Sequence, residues 1–199
     1  MSDNPAALNL DPIHKTVNSK MGFSYRSQKD VRQFAREAEI DSLTGLANRA
    51  RLFRDITAIH QNMERGISSY AIMFLDLDNF KVSVNDIYGH LAGNTALREF
   101  AKVINSSIRK SDTAYRFGGD EFVILVNDVD PDKVDETSGS IRGRLNDELD
   151  QIKLKDGRFS DIGISVGTYT PINGESVDAA LEKADLLMYR DKADRKAAR

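Results

Sequence analysis

Residues 113–126 read TAYRFGGDEFVILV, and this stretch decides the fold. Two short runs of strand-forming residues, 113–117 and 121–126, flank the tripeptide Gly118-Gly119-Asp120. Because glycine adopts the positive φ that tight turns need, the pattern predicts a β-hairpin with acids at its turn. Taken alone, Gly-Gly-Asp is common turn chemistry and is more typical of a solvated hairpin tip than of a binding site.

The segments on either side of the hairpin predict the remaining elements. Residues 69–78 (SYAIMFLDLD) form an apolar strand that ends in acids, and residues 159–170 contain another strand. Apolar residues at helical spacing predict four helices, at residues 42–65, 90–110, 131–152 and 176–196. Thr44 or Asn48 is the predicted cap of the first helix, and Ser176 is the predicted cap of the last. The order β-α-β-β-α-β within this pattern predicts an α+β, ferredoxin-like fold, with a central antiparallel sheet flanked by helices and both core helices on one face.

This topology brings acids from two distant segments together. Asp76 and Asp78 end the first core strand, and Asp120 and Glu121 begin the third, which lies beside it and runs antiparallel. Like charges held close together cost free energy unless a cation lies between them. Oxygen ligands from Asp and Glu favour Mg²⁺ or Mn²⁺, and Mg²⁺ commonly completes its shell with nucleotide phosphates. The sequence therefore predicts a divalent metal site beside the hairpin, with room for a phosphate or a base next to the glycines.

Composition excludes several classes of protein. A net charge of -3 over 199 residues argues against binding of nucleic acid polymers or membrane surfaces. The chain has no Cys, and its three His are too dispersed in sequence for a zinc site. No apolar run approaches the ~20 residues that span a bilayer, so we expect a cytoplasmic chain without membrane insertion.

The N-terminal residues differ in character from the rest. Residues 1–27 are polar and aperiodic, which predicts a poorly ordered lead, and residues 28–40 carry a narrow apolar stripe typical of a connecting or coiled-coil helix. Residues 41–199 form the predicted domain. Either the chain is a piece of a larger sensory protein, or its first 40 residues are the regulator.

Six motifs between Asp41 and Lys196 resemble the GGDEF domain, the diguanylate cyclase family: DSLTGLANRARLF, DLDNFK, NDIYGHLAGN, RFGGDEF, ISVGT and ADLLMYRDK. The resemblance implies a fold like the palm of nucleotide cyclases. It also implies a reaction of bacterial second-messenger signalling, in which two GTP molecules condense to cyclic di-GMP and two pyrophosphates. Each subunit of a homodimer would hold one GTP, and two Mg²⁺ or Mn²⁺ ions would act at each active site.

The resemblance also implies roles for individual residues. Asp76 and Glu121 would bind the metals with help from the Leu77 carbonyl, and Asp120 would bind metal or help deprotonate the attacking hydroxyl. Phe80 would line the triphosphate site, although packing in the core accounts for a Phe at this position nearly as well. The implied substrate-binding residues are Phe80, Lys81, Asn85, Asn94, Gly118, Gly119, Lys192 and Lys196.

Three positions depart from the family pattern. Asn94 stands where the family usually has Asp, and an amide suits adenine at least as well as guanine because it offers one acceptor and one donor. The spacing KVSVN is one residue longer than usual, so a harmless bulge and a displacement of Asn85 are both open. Lys196 replaces an Arg and loses its bidentate fork.

A product-binding turn is predicted upstream of the hairpin. The sequence RKSD, Arg109 to Asp112, lies at the offset from Gly118-Gly119 where the family binds its inhibitory product. The family often adds a second Arg from the next helix, where this chain has Ser140, so that Arg142 is the alternative. A second R-x-x-D, Arg144 to Asp147, is interpreted as a solvated helix face.

Two classes of function follow from these observations. The first is a Mg²⁺-dependent diguanylate cyclase, with relaxed base selectivity through Asn94 as a variant. The second is a catalytically weak binding module that senses nucleotide at the hairpin or cyclic di-GMP at Arg109 and Asp112.

Overall fold

The computed structural model describes residues 39–198. The predicted lead, 1–27, and residues 28–38 of the predicted connecting helix lie outside the described residues. The main elements are β1 (Ala47–Asn48), α1 (Arg49–Glu64), β2 (Tyr70–Asp78), α2 (Asp86–Ser107), β3 (Thr113–Gly118), β4 (Glu121–Asn127), α3 (Val134–Lys155), β5 (Gly163–Tyr169) and α4 (Val177–Ala197). Short turns of other helix types lie at Phe80–Asn85, Pro131–Lys133 and Gly157–Phe159.

The five strands form one sheet in the order β1-β3-β4-β2-β5. Strand β2 pairs antiparallel with both β4 and β5, and β3 pairs antiparallel with β4. The predicted antiparallel β-α-β-β-α-β core is therefore confirmed. Strand β1 adds a parallel edge pairing to β3 that the sequence did not predict, because two residues are too short to show a period.

Helices cover both faces of this sheet. Alternate residues of β2, from Ala71 to Leu77, pack in one cluster with α2 and α3. The intervening residues, from Tyr70 to Phe74, pack in a second cluster with α1 and α4. Burial on both faces explains why β2 is a continuous apolar run instead of an alternating one. None of the helices among residues 39–198 combines the length and apolar composition of a membrane span.

Helix α1 begins at the later of its two predicted caps. Asp41 accepts hydrogen bonds from the Thr44 backbone N–H at 2.9 Å and from the Thr44 hydroxyl at 2.7 Å, and these bonds hold a turn instead of a helix. The helix begins only after Asn48, whose side chain accepts from the Arg51 N–H at 3.1 Å as an N-cap. Ser176 caps α4 in the predicted way, accepting from the Ala179 N–H at 3.2 Å.

The extra residue in KVSVN is absorbed by a π-helical turn. Residues Phe80–Asn85 form this turn, in which the Asp86 N–H donates to the Lys81 carbonyl, five residues back. A π-helical turn accommodates one residue more than an α-helical turn and leaves the flanking elements in register. Helix α2 follows directly and is interrupted at Gly89, whose φ of 80° is not helical. The insertion is therefore a local bulge.

Candidate active site

The hairpin turn is braced by the side chain of Arg116. Gly118 pairs with Glu121, and Gly119 adopts a φ of 52° in the turn between them. Arg116 donates from Nε and Nη2 to the Gly119 carbonyl at 3.1 and 2.8 Å, and from Nη1 to Asp41 at 3.1 Å. Sequence reasoning missed this brace, although both residues lie within the quoted motifs DSLTGL and RFGGDEF.

The first core strand delivers its acids to the same edge of the sheet. Asp76 lies directly opposite Glu121 in the pairing of β2 with β4, and the Leu77 N–H donates to the Asp120 carbonyl at 3.3 Å. Asp78 lies opposite Gly163 of β5 instead. Three of the four predicted acids therefore lie along the β2–β4 junction, and the fourth faces the other neighbour of β2.

The acids differ in how well their charges are compensated. Asp78 accepts from the Ser165 hydroxyl at 2.6 Å and from Arg195 Nε at 3.2 Å. Burial raises the pKa of Asp76, and the charges of Asp120 and Asp78 raise it further, against an opposing hydrogen bond from Lys192. Burial likewise raises the pKa of Glu121. The negative charge along the β2–β4 junction is therefore only partly offset by protein groups.

A further acid contributes to this field. Asp185 of α4 raises the pKa of Glu121, together with the charges of Asp76 and Asp120 and after the larger effect of burial. Asp185 lies in the quoted motif ADLLMYRDK, but sequence reasoning assigned it no role. Helix α4 therefore supplies both an acid, Asp185, and a cationic side chain to the hairpin.

Lys192 is that cationic side chain. Its ammonium group hydrogen-bonds to Asp76 Oδ1. Burial lowers the pKa of Lys192, but the bond to Asp76 and the charges of Asp76, Asp78 and Asp120 outweigh burial and raise it overall. Lys196 lies one turn further along α4 and is exposed.

The acids along the β2–β4 junction suit a divalent cation in their chemistry. Within residues 39–198, no three His, Asp or Glu side chains are arranged as the shell of a single ion. Asp76 and Glu121 are nonetheless neighbouring oxygen donors whose raised pKa values reflect unfavourable charge. A hard cation relieves that charge and takes Asp, Glu and carbonyl oxygen as ligands.

Beside the hairpin is a cavity of about 290 Å³. It is lined by Phe80, Lys81, Asn85, His90, Asn94, Leu97, Arg116, Gly119 and Asp120. Five of these residues belong to the predicted substrate set, and a sixth, Asp120, to the predicted catalytic set. Gly118, Lys192 and Lys196 are not part of this lining, and sequence reasoning did not assign His90, Leu97 or Arg116 to it.

Two details fix the shape of this cavity. Gly93 leaves room for the Asn85 amide, because a Cβ there would lie 1.9 Å from Asn85 Oδ1 and 3.1 Å from the ring of Phe80 and would displace the Asn85 side chain. Phe80 is only 6% exposed and belongs to the core cluster, as its packing interpretation predicts, and it also lines the cavity; its contact with the triphosphate stays a prediction. Asn85 remains beside Asn94 despite the inserted residue.

The predicted product-binding turn lies at the other end of β3. Asp112 accepts the Arg109 N–H at 3.0 Å and the Asn127 N–H at 3.2 Å. Its own N–H donates to the Arg109 carbonyl at 3.0 Å, which closes the turn. The Arg109 side chain is exposed. The turn is thus held by backbone bonds to Asp112 and presents Arg109 to the outside.

A different arginine from the one expected lies beside this turn. Arg142 instead donates to both carboxylate oxygens of Asp191 in α4, at 2.8 and 2.9 Å. Arg144 donates from Nε to the Ser107 carbonyl at 2.8 Å and from Nη1 to Ser140 Oγ at 2.7 Å. Since Ser107 ends α2 just before Arg109, the arginine next to the turn is Arg144.

Comparison with known proteins agrees with the motifs. The family profile described as "Diguanylate cyclase, GGDEF domain" matches residues 38–198. The probable diguanylate cyclase DgcE of Escherichia coli is 35% identical over 167 residues, which are 83% of this chain and 15% of that protein. Diguanylate cyclase DgcS of Shewanella oneidensis is 34% identical over 165 residues, 81% of this chain and 52% of that protein. The chain thus spans between about a seventh and a half of the length of these relatives.

Solved structures give the same result. The coiled coil and GGDEF domain of DgcB from Caulobacter crescentus, solved in complex with c-di-GMP, superposes with a TM-score of 0.73 at 26% identity. The match covers 94% of this chain and 96% of that one. Diguanylate cyclase SiaD from Pseudomonas aeruginosa, solved with its activator SiaC, has a TM-score of 0.69 at 25% identity, covering 93% of this chain and 68% of SiaD. On its sequence and its fold, the chain belongs to the diguanylate cyclase family of GGDEF domains.

Proposed function

We propose that the chain is a diguanylate cyclase that condenses two GTP into cyclic di-GMP and two pyrophosphates. The observation that carries the proposal is the pairing of Asp76 with Glu121, next to Asp120, which lines a cavity of about 290 Å³. Both carboxylates have raised pKa values, which marks charge that the fold leaves only partly compensated. Such groups cluster where a ligand or a reaction needs them.

Asp76, Glu121 and the Leu77 carbonyl would hold two Mg²⁺ or Mn²⁺ ions per site, with Asp120 as a further ligand or as the base. When bound, these ions would lower the pKa of the attacking hydroxyl and stabilise charge on the reacting phosphate. Lys192 would exchange its bond to Asp76 for the triphosphate, which carries more negative charge. Lys196, on the same face of α4 one turn later, would extend the cationic surface.

The purine base of GTP would enter the cavity beside Asn85 and Asn94. Their amides face one space, so they would bond the Watson–Crick edge of the purine. Arg116 and Gly119 would form the wall nearest the hairpin, and the reacting phosphate would then lie next to Asp120. Phe80 and Lys81 would border the path from the base to the phosphates.

The reaction joins nucleotides held by two copies of the chain. The 3′-oxygen of one GTP forms a bond to the α-phosphorus of the other. Pyrophosphate leaves with the electrons of the bond between the α-phosphorus and the bridging oxygen, and the hydroxyl proton passes to the general base, for which Asp120 is the candidate. A second, symmetric step closes the ring. Exposed apolar side chains on α2, the helix that also carries His90 and Asn94 of the cavity lining, support a homodimer: Leu91 is 84% exposed and Ile87 is 64% exposed.

Product would inhibit at the turn formed by Arg109 and Asp112. Arg109 would bind a phosphate or the Hoogsteen edge of a guanine. Arg144 supports this part of the proposal, because it already lies beside Ser107 and can turn its guanidinium to a second phosphate. A cytoplasmic setting completes the proposal.

Analysis of products by mass spectrometry tests the function. The full chain would be incubated with Mg²⁺ or with Mn²⁺, and with GTP, with ATP or with both. We expect cyclic di-GMP from GTP. Protein that is folded and dimeric yet forms no product in any mixture would contradict the cyclase and leave the binding module. An adenine-containing product would identify Asn94 as a determinant of selectivity.

Replacement of Asp120 tests its role at the site, and replacement of Asp132 is the control. Asp120→Ala should reduce product formation by about 10³-fold, because the variant loses a ligand or base at the reacting centre. Asp132→Ala, which removes an exposed acid after β4, should leave turnover unchanged. Circular dichroism should show both variants folded. Turnover retained by Asp120→Ala would overturn the assignment of the site.

A further inference from the structure

Asp191 precedes Lys192 on α4 and joins three elements of the fold. Arg142 of α3 donates from Nη2 to Asp191 Oδ1 at 2.8 Å and to Oδ2 at 2.9 Å. The backbone N–H of Val166 in β5 donates to Oδ2 at 2.9 Å. Since β5 is at the edge of the sheet among the described strands, Asp191 satisfies a donor that the ladder leaves unpaired. We call Arg142, Val166 and Asp191 the Asp191 clamp.

Helix α4 also lies unusually close to β5 at Gly167. A Cβ on Gly167 would lie 2.1 Å from the Met188 backbone nitrogen and 2.2 Å from the Ala184 carbonyl oxygen. Backbone therefore contacts backbone in the two turns that precede Asp191, and the helix has no freedom to move inward. The Asp191 clamp adds a second point of attachment on the following turn, which fixes the rotation of the helix about its axis.

The orientation of Lys192 follows from that attachment. Consecutive residues project about 100° apart around a helix, so when Asp191 faces the edge of β5, Lys192 faces the end of β2. There its ammonium hydrogen-bonds to Asp76, and Arg195, on the next turn, contacts Asp78 at 3.2 Å. Lys192 has a flexible four-carbon stem, so the helix must hold its backbone in place for its ammonium to return to one position.

We propose that Asp191 and Arg142 are positioning residues, which hold the last turns of α4 so that Lys192 meets the triphosphate of the bound nucleotide. The ligand class, a nucleoside triphosphate, rests on the proposed function. Asp191 contacts Arg142 and Val166, and acts on the ligand through Lys192. A displacement of about 1 Å in a binding group can cost up to about 100-fold in rate, whereas a partly exposed ion pair adds little to folding stability.

The test compares nucleotide binding with stability in variants of the full chain. The variants are Asp191→Ala, Asp191→Asn, Arg142→Met and the double variant, with Lys183→Met as the control. Lys183 lies on the same helix and pairs at 2.7 Å with Glu175, which precedes the helix, so its removal costs an ion pair near the other end of α4. The probe is a fluorescent GTP analogue, titrated in EDTA and again with Mg²⁺. KM, kcat and thermal unfolding are measured on the same preparations.

We expect Asp191→Ala to weaken binding of the GTP analogue by about tenfold without metal, and to raise KM by a similar factor with kcat changed less than threefold. Asp191→Asn should lose less, because its amide oxygen still accepts the Val166 N–H. The double variant should bind no more weakly than Asp191→Ala, since both changes break one clamp. The unfolding temperature of Arg142→Met should shift no more than that of Lys183→Met, because this variant keeps the bond from the Val166 N–H to Asp191.

Other results would overturn the proposal. Wild-type affinity in Asp191→Ala, with a lowered unfolding temperature, would show that the clamp only covers the edge of β5. A wild-type chain that binds no GTP analogue would remove the ligand of Lys192 and the proposal with it. A wild-type chain that binds GTP and forms no product would contradict the cyclase alone, because the binding series would still test the clamp.

Discussion

The two ends of strand β3 both depend on buried acids, but they use them in opposite ways. Asp76 near the hairpin and Asp112 at the far turn are equally buried, each 7% exposed. Asp112 accepts two backbone N–H groups, from Arg109 and Asn127. Asp76 faces Glu121 and has a lysine side chain as its donor. At the same burial, Asp112 stabilises its turn through backbone hydrogen bonds, whereas the charge of Asp76 is only partly compensated.

The comparison extends to Asp41, which supports the hairpin without lying along the β2–β4 junction. Burial would raise the pKa of Asp41, but hydrogen bonds from Thr44 and Arg116 outweigh burial and lower it. The pKa of Glu121 is instead raised, first by burial and then by the charges of neighbouring acids. The direction of the pKa shift thus separates an acid that stabilises the fold from one that the fold holds at a cost.

The largest expected effect is at the hairpin. Glu121→Gln should lower cyclic di-GMP formation by about 10³-fold, because an amide is a poor substitute for a carboxylate ligand. The unfolding temperature should not fall, since the change removes a charge that burial and neighbouring acids disfavour. Product quantification and a melting curve on one preparation measure both. Loss of stability together with turnover would place Glu121 with the structural acids and erase the contrast.

At the other end of β3 we expect an effect on stability. Asp112→Ala should reduce the free energy of unfolding by about 2 kcal/mol, because two buried N–H groups lose their acceptor. Urea denaturation measures the change, with Asp132→Ala as the exposed control. A change as small as that of the control would mean that the turn closes without its carboxylate, and that Asp112 resembles Asp76 more than the structure suggests.

A smaller effect is expected on the preference of the cavity for one purine base over another. Asn94→Asp should raise the preference for GTP over ATP by about tenfold, because two carboxylate acceptors match the two donors of guanine. Competition of the two nucleotides for binding provides the measurement. Asn85→Asp serves as the matched change on the same cavity. An unaltered preference in Asn94→Asp would exclude Asn94 from reading the base.

The smallest effect is a dependence of stability on pH. Because the pKa of Glu121 is raised in the folded state, wild-type stability falls relative to Glu121→Gln as pH rises above about 4.5, the ordinary value. The pKa of Asp41 is lowered, so its contribution is present above about 3.8 and is lost as pH falls below that value. Denaturation from pH 3 to pH 7 should therefore give opposite trends for Glu121→Gln and Asp41→Asn. Parallel trends would contradict the distinction.

Several features of the site could be predicted because they are local. The hairpin follows from Gly118 and Gly119, and the position of Asp76 beside the hairpin follows from the order of the strands. The helix start at Asn48 was one of two candidates, since Thr44 also has a capping side chain. What decided between them was the bond of Thr44 to Asp41, and neighbouring side chains of this kind compete with helix formation in ways that propensity does not rank.

Other features depended on contacts between distant segments. No spacing in the sequence indicates that Arg142 bonds to Asp191 across the edge of the sheet, or that Arg144 lies beside the end of α2. The π-helical turn likewise required the structure, because an inserted residue can loop out or displace its neighbours at similar cost. In each case the alternatives differ by only a few hydrogen bonds.

The sequence by itself determined the family, the α+β core and the acids that meet at the hairpin, because periodicity and turn chemistry act over short distances along the chain. The tertiary structure decided which charges are compensated. Asp76, Asp78 and Asp112 are the same residue type, yet a lysine, an arginine with a serine, and two backbone N–H groups are their respective donors. Apart from the Arg109 N–H, which lies three residues from Asp112, those partners come from other segments of the chain, and packing brings them within hydrogen-bonding distance.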